Sequence, residues 1–412
     1  MKDEISKLTA LVEQDGTYES KLSREVAANC VRAQYETAFD YGIYHDTLVW
    51  ESDIIREHIL ERAISLLKER GFAKVHDSGK YAGCLAVNFS DIRDLPPELA
   101  GMKENVKVLL RSDGSPTYVA KDIAFHMWKF GLLENTFKFD TFIEKQPNGK
   151  PLLTTSPEGK STEFKSADRA INVIANEQSF PQLLVKLAFK GIGRDEIFDR
   201  LYHLSYGRVS LEEGKLSGRK GGAKEYSAKR LLEMAEEKAY TLISDRFELS
   251  EKEKKGIAHD VALAAIKFEF LRISPEKEII FSWSRAMNFE GGSGPYSQYM
   301  HARASKILAS AGDASGDAPD YASISDGQGF ALVMALAQAR SIVSKACIEN
   351  RPNAICDYLN DLSAGFSSFY ESYPVLKAEG SVRAARLLLV KAFAKIQKEM
   401  LTLLGIPTPE RM

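Results

Sequence analysis

The spacing of apolar positions divides the chain into a mixed part and a helical part. Between residues 18 and 40, Leu22, Val26, Cys30 and Val31 recur at helical spacing and predict a helix. Tyr41–Val49 leads into Trp50-Glu51-Ser52-Asp53, where Ser52 is placed to cap a helix running to Arg70, with Gly71 closing it. Residues 73–90 read as short strands with turns. Val106–Leu110 reads as a brief apolar strand that ends at the Arg111–Tyr118 turn, and a helix follows from about Ala120 to Leu133. The period then shortens. Lys138–Ile143 and Leu152–Thr155 read as two strands of a hairpin inserted over 136–165, turning at Asn148-Gly149. Ile171–Ala175 is a β run of the buried type, followed by Glu177-Gln178. An apolar helix then passes through Leu183, Leu184, Leu187 and Ala188 to Gly191. This alternation predicts the latter part of a parallel α/β sheet. After about residue 222 the pattern is wholly helical, over 225–246, 251–273, 295–311, 328–347, 353–373 and 379–404. An acidic, low-complexity loop occupies 309–328. The expected fold class is α/β followed by all-α. The expected divisions are 1–212 for the α/β part, 213–250 for a loop and connecting helix, and 251–412 for a helical domain.

Composition adds little to this picture. The 412 residues are 44% hydrophobic and 27% charged, ordinary values for a globular protein of two or three domains. The net charge is −2, so a nucleic-acid partner requires basic residues gathered locally. The four cysteines, Cys30, Cys84, Cys347 and Cys356, form no CxxC pair and predict reduced thiols with no metal-ligand set. No apolar run reads as long enough to span a membrane, and the polar start Met1-Lys2-Asp3-Glu4 has no leader pattern, so a cytoplasmic protein is expected.

Three stretches carry candidate chemistry. In Arg111-Ser112-Asp113-Gly114-Ser115-Pro116-Thr117-Tyr118-Val119-Ala120-Lys121-Asp122, Tyr118 and Asp122 stand four residues apart on one helical face. A ring and a carboxylate so placed can receive a cationic ligand. Taken alone, Asp122 reads more plainly as a helix-terminal carboxylate favoured by the macrodipole. The second stretch, Gly214-Lys215-Leu216-Ser217-Gly218-Arg219-Lys220-Gly221, is a Gly-flanked basic loop suited to a polyphosphate, or a solvated loop. In the third, Ser293 or Gly294 caps a helix with Pro295 in its first turn. Tyr296, Tyr299, Met300 and Arg303 then share a face. Aromatic rings beside an arginine suit unstacked RNA bases, while tyrosines packed between helices are the plainer reading. The last helix sets Arg383, Arg386, Lys391, Lys395 and Lys398 against Glu399, with an expected apolar stripe of Val382, Ala385, Leu389, Ala392, Ile396 and Leu403.

Together these stretches resemble arginyl-tRNA synthetase, a class I aminoacyl-tRNA synthetase, over essentially the whole chain. The run Arg111–His126 is similar to the family signature, the insertion resembles that of the archaeal-type branch, and the ending Leu404–Met412 is family-like. The resemblance implies the remainder of a Rossmann-like catalytic domain followed by a helical-bundle anticodon-binding domain. It implies that Tyr118, Asp122 and Gln178 hold arginine, and that Glu177, His203 and Val209 lie at ATP. Lys215, Ser217, Arg219 and Lys220 would form the KMSKS-like catalytic loop. Tyr296, Tyr299, Arg303, Tyr370, Lys391, Lys395 and Met412 would face tRNA. His126 would touch the reacting end of tRNA or ATP, or be a buried structural histidine. Expected partners are arginine, ATP with Mg2+ and arginine tRNA, with a monomeric chain. The sequence departs from the family at Ala175, where many relatives have Gly, and at Gly218, which replaces the second lysine of the loop. The family's His-x-Gly-His motif does not occur in the 412 residues. The expectation is therefore the C-terminal two-thirds of an arginine–tRNA ligase, inactive alone: a fragment, an incomplete gene product, or one half of a split enzyme served by a separate N-terminal fragment carrying that motif. The alternative is a non-catalytic tRNA-binding protein derived from such an enzyme.

Overall fold

A computed structural model describes residues 2–14, 16–92, 105–162, 166–211, 227–244, 250–312 and 317–412. The backbone divides into two compact units, Met1–Ser205 and Tyr206–Met412.

The first unit opens with α1 (Lys2–Glu13), α2 (Tyr18–Asp40) and β1 (Thr47–Leu48). The helix expected from Ser52 to Arg70 is two helices, α3 (Glu51–Arg56) and α4 (Ile59–Glu69). Ser52 lies inside α3 and caps nothing. The chain reverses at His58, whose φ is 57°, and Gly71 (φ 70°) closes α4 as expected. The break has a physical cause, because the two helices serve different partners. Buried Asp53 of α3 accepts two bonds from the Arg24 guanidinium (3.0 and 3.2 Å) and one from the Thr155 hydroxyl (2.6 Å). The apolar face of α4, including Ile59, Ala63 and Leu67, enters the main core instead.

β2 (Ala73–Val75), β3 (Leu85–Asn88) and β4 (Val106–Leu110) form an antiparallel sheet. The chain then turns through Gly114, which needs the left-handed φ of 82° it adopts, and enters α5 (Tyr118–Lys129) two residues earlier than expected. The hairpin strands β5 (Lys138–Ile143) and β6 (Leu152–Thr155) fall where the alternation places them. Ile143 pairs with Leu152, so residues 144–151 form a longer connection than a two-residue turn. Buried Gln146 fastens that connection by donating to the His45 and Pro151 carbonyls. β7 (Lys160–Ser161) joins β5, and β1 joins β6 in parallel, giving the order β1-β6-β5-β7. A period-two search does not find β1, since two residues carry no alternation.

β8 (Ala170–Ala175), α6 (Ser179–Gly191), α7 (Asp195–Arg200) and β9 (Leu201–Tyr206) complete this unit, with β8 beside β9. The fully buried strand expected at 171–175 is not found. Ala170 and Asn172 face inward, while Ile171 and Val173 are 46% and 63% exposed. Among the described residues nothing covers that face. The core lies between α4, α5 and α6 and the β3–β4 pair, with Leu67, Leu109, Ile123 and Leu187 fully enclosed.

The second unit is helical with one exception that the apolar pattern hid. β10 (Val209–Leu211) pairs in parallel with β11 (Ile279–Phe281), so the region beyond 222 is not wholly helical. Gly207 lies so close to the Lys277 carbonyl oxygen that a Cβ would stand 2.1 Å from it. The helices are α8 (Ala228–Ser244), α9 (Glu251–Leu271), α10 (Trp283–Ala286), α11 (Gly294–Ala311), α12 (Gly327–Ala337), α13 (Ala339–Glu349), α14 (Asn353–Ser372) and α15 (Gly380–Leu403). Ser250 and Glu253 form a reciprocal cap on α9. The single helix expected over 328–347 is interrupted at Gln338. Contrary to the sequence reading, the stretch Gly327–Glu349 is long and apolar enough to cross a membrane, at mean hydropathy 1.4. It contains Arg340 and Lys345 and packs through Leu332, Ala339 and Ala346 into the helical core. The stripe of α15 is also shifted. Leu403 is 57% exposed, and Leu387, Val390 and Phe393 enter the core that the expected stripe omitted.

Candidate functional site

The first unit brings together a small group of acids at the start of α5. Thr117 precedes the helix, its hydroxyl donating to the Val108 carbonyl (3.0 Å), which ties the helix start to β4. One turn places Tyr118 and Asp122 on the same face. Tyr118 is 78% exposed, a large aromatic side chain left in solvent. Asp122 is half-buried, and among the described residues its carboxylate has neither a hydrogen-bond nor an ion-pair partner. Burial, then the negative charge of Glu51, pushes its pKa above the usual carboxylate range, with Lys129 opposing. Glu51 was absent from the sequence-based set. It opens α3, and Lys121 fixes it through a 2.9 Å ion pair. A half-buried carboxylate without a partner, beside a second carboxylate, forms a site for a cation. Only the fold supplies this signal, since Glu51 and Asp122 stand far apart along the chain.

His126 is one turn beyond Asp122 and is buried. Its Nδ1 donates to the Asp122 carbonyl (2.7 Å), and its Nε2 accepts from Asn172 Nδ2 (2.8 Å), which also donates to Gln182 Oε1 (2.7 Å). Burial, with Lys129 nearby, lowers its pKa to about 4, so the ring is neutral at physiological pH. Of the two readings, the structure gives the buried structural histidine. The chain His126–Asn172–Gln182 pins α5 to β8 and α6, and thereby to the turn between them that carries Glu177 and Gln178. Both of those side chains are exposed. Ala175 enters that turn at φ −61°, a conformation that demands no glycine.

His203 on β9 is half-buried, with its Nε2 2.9 Å from the Ile174 carbonyl, so this ring atom joins β9 to β8. Val209 belongs to the second unit and lies on β10, one edge of which is taken by β11. The loop residues Lys215, Ser217, Arg219 and Lys220 lie outside the described residues.

In the second unit the aromatic–arginine face is partly consumed by packing. Ser293 caps α11, its Oγ accepting from the Tyr296 amide (3.0 Å), and Pro295 occupies the first turn. A Cβ on Gly294 would stand 2.2 Å from the Ala264 carbonyl oxygen, so this position permits the approach of α11 to α9. That approach carries Tyr296 and Met300 into the core, at 8% and 3% exposure. Tyr296 is therefore corrected from an RNA-facing ring to a core ring. Tyr299 is half-buried against the same core. Arg303 and Tyr370 are brought together across α11 and α14, the guanidinium carbon 4.2 Å from the ring centroid. Lys391 and Lys395 are exposed one turn apart on α15. Arg383 and Arg386 each donate one hydrogen bond to a backbone carbonyl, of Ala311 and Pro374 respectively.

The C-terminal tail is anchored within the second unit. Ile406 is buried, Gln298 donates to the Pro407 carbonyl (2.7 Å), and Met412 packs against the cluster of Ala239, Ile243, Ala258 and Val261. The buried Gln298 is the element a hydropathy pattern could not find.

Known proteins place these features. The DALR anticodon binding domain family matches residues 297–412. The arginine–tRNA ligase of Pyrococcus abyssi is 39% identical over 400 residues, covering 94% of this chain and 61% of that protein. That of Pyrococcus furiosus is 38% identical over 423 residues, covering 100% and 64%. The solved Thermus thermophilus arginyl-tRNA synthetase superposes with a TM-score of 0.84 at 36% identity, covering 94% of this chain and 64% of that one. The chain thus spans just under two thirds of the length of these relatives. Over essentially its whole length, in both sequence and fold, the chain is similar to the arginyl-tRNA synthetases, and its residues 297–412 match the DALR anticodon binding domain family.

Proposed function

We propose that this chain supplies the arginine-recognition and tRNA-binding part of an arginine–tRNA ligase, which joins arginine to its tRNA at the expense of ATP. The observation that carries the proposal is the Asp122–Glu51 carboxylate pair beside exposed Tyr118 on a chain 39% identical to arginine–tRNA ligase over 400 residues. Asp122 would take the guanidinium in a charge-assisted pair, Tyr118 would cover it, and Gln178 would complete the pocket. Glu177, His203 and Val209 are proposed for ATP. Lys215, Ser217, Arg219 and Lys220 would favour the charge that develops as the α-phosphate is displaced. Among the described residues no three His, Cys, Asp or Glu gather to hold a metal ion, so Mg2+ would enter on the phosphates of ATP. Arg303, Tyr370, Tyr299, Lys391, Lys395 and Met412 are proposed to meet arginine tRNA. We further place the chain in the cytoplasm as a monomer.

The test is arginine-dependent ATP–pyrophosphate exchange by the purified chain, alone and with the N-terminal part of an arginine–tRNA ligase. The expected rate alone is at least about 10²-fold lower, since even one lost phosphate-stabilising donor commonly costs that much. Exchange by the chain alone within about tenfold of the mixture overturns the expectation that these residues are inactive alone. No exchange in either case, with arginine tRNA still bound, establishes the non-catalytic alternative.

A further inference from the structure

α12 and α13 show an apolar face that the helical core does not use. Phe330 and Met334 are each 48% exposed, and Ile348 is 72% exposed. Beside them, between α13 and the end of α15, runs an open groove of about 1120 Å3. Leu336, Val343 and Ile348 line one wall, and Ile396, Met400 and Leu403 the other. From Leu336 to Ile348 the helical rise gives a length of about 18 Å, or three to four turns. Arg340, Lys395 and Lys398 edge the groove, against Glu399 as the acid among its lining residues. None of these three cations has a hydrogen-bond or ion-pair partner among the described residues.

We propose that this groove docks an amphipathic α-helix with acidic flanks, presented by a partner protein. Two antiparallel or parallel helical walls leave a trough into which a third helix can lay an i, i+3, i+4, i+7 apolar stripe. The unpaired cations at the edge select acidic flanks and steer the approach. The same charges argue against a second copy of this chain using the same face, because cation would meet cation. An apolar floor also gives nucleic acid nothing to replace the hydration of its phosphates. No group of the arginine site takes part in the groove; Lys395 is the one residue it shares with the surface proposed for tRNA, and the variants used below leave Lys395 in place.

The experiment uses the full chain and a fluorescein-labelled synthetic helix of four turns, with Leu at i, i+3, i+4 and i+7 spacing and Glu on both flanks. Anisotropy titration should give saturable binding, weakened at least about tenfold by Leu403→Asp or Ile348→Asp. Both positions are mostly exposed, so the fold should survive, as far-ultraviolet dichroism would check. Replacing the flanking Glu residues with Lys should weaken binding by a similar factor, and Arg340→Glu with Lys398→Glu should reverse that preference. Absence of binding, equal binding of a scrambled peptide, or indifference to Leu403→Asp overturns the proposal. Sedimentation showing self-association of the unmixed chain, lost in Leu403→Asp, assigns the face to a second copy instead. Flotation with anionic phosphatidylserine vesicles, lost in the same variant, assigns it to a lipid surface.

Discussion

The starts of α5 and α11 are written in nearly the same way and end in opposite conditions. Each follows a turn that ends in a hydroxyl residue, Thr117 or Ser293, and each sets an aromatic ring and a charged side chain on one face within two turns. At α5 the ring of Tyr118 is left in solvent and Asp122 is left without a partner. At α11 the ring of Tyr296 is buried and Arg303 is spent on Tyr370. Spacing alone cannot separate the two, because helical periodicity fixes which residues share a face and not what that face meets. The difference comes from the neighbours. α11 is enclosed by α9, α14 and α15, so its face becomes core. The first turn of α5 buries Val119 and Ala120 in the core and is tied down by Thr117 and the Lys121–Glu51 ion pair, while the side that carries Tyr118 stays open. An open, unsatisfied face marks a site, and a filled one marks a scaffold.

The largest effect that could break this contrast is on stability. Tyr296→Ala should destabilise the second unit by about 3–5 kcal/mol, the usual cost of removing a large buried ring. Tyr118→Ala should stay within about 0.5 kcal/mol. Urea unfolding followed by dichroism would read both, and comparable losses would mean that Tyr118 is a packing residue after all.

The next effect concerns Asp122, where function and stability should move in opposite directions. Asp122→Asn should weaken arginine binding, measured by calorimetry on the chain or its reconstituted form, by roughly 2–4 kcal/mol of lost charge pairing. The folded pKa of Asp122 is raised, so the native state binds more protons than the unfolded state between the unfolded value of 3.8 and that raised value. Its ionised form therefore costs stability at neutral pH, and Asp122→Asn should raise Tm by on the order of 2 °C. Arginine affinity of the unaltered chain should fall as pH drops through the raised pKa, because the cation pairs only with the ionised carboxylate. A lower Tm in the variant, with unchanged arginine binding, would return Asp122 to the role of a helix-terminal charge.

Sequence made the local part of this molecule legible and left the contacts hidden. The strands β5 and β6 and the helix α6 were placed by periodicity, because each has one dry face and a long enough run. The break at His58 was not, since it arises from Asp53 binding Arg24 and Thr155, residues distant from it in the chain. Glu51 was missed for the same reason. β11 was missed because three residues between helices carry too little alternation. The anchors of the tail Leu404–Met412 are not legible in the sequence, because they are a buried glutamine on α11 and a small apolar cluster on α8 and α9, and none of these has a periodic signature.

The smallest effect sharpens the comparison within the second unit itself. Arg303 lies over one face of the Tyr370 ring. If the pair only braces α11 against α14, a double-mutant cycle of Arg303→Met and Tyr370→Leu should show a coupling of about 0.5–1 kcal/mol in unfolding and none in RNA binding. The proposed role predicts more than that. A guanidinium that holds the ring flat against one side pre-organises the opposite face for a base, so Tyr370→Leu should weaken binding of arginine tRNA by about 1–3 kcal/mol. Arg303→Met should then recover part of that loss as coupling, and an unrelated tRNA should be affected less. Lys391→Ala should weaken both tRNAs alike and flatten the salt dependence, as a phosphate contact does. Fluorescence titration at two salt concentrations reads all of these together. Equal losses for both tRNAs in the Tyr370 variant would mean that α11 and α14 meet there as scaffold alone, and that the anticodon-reading face lies elsewhere on the second unit.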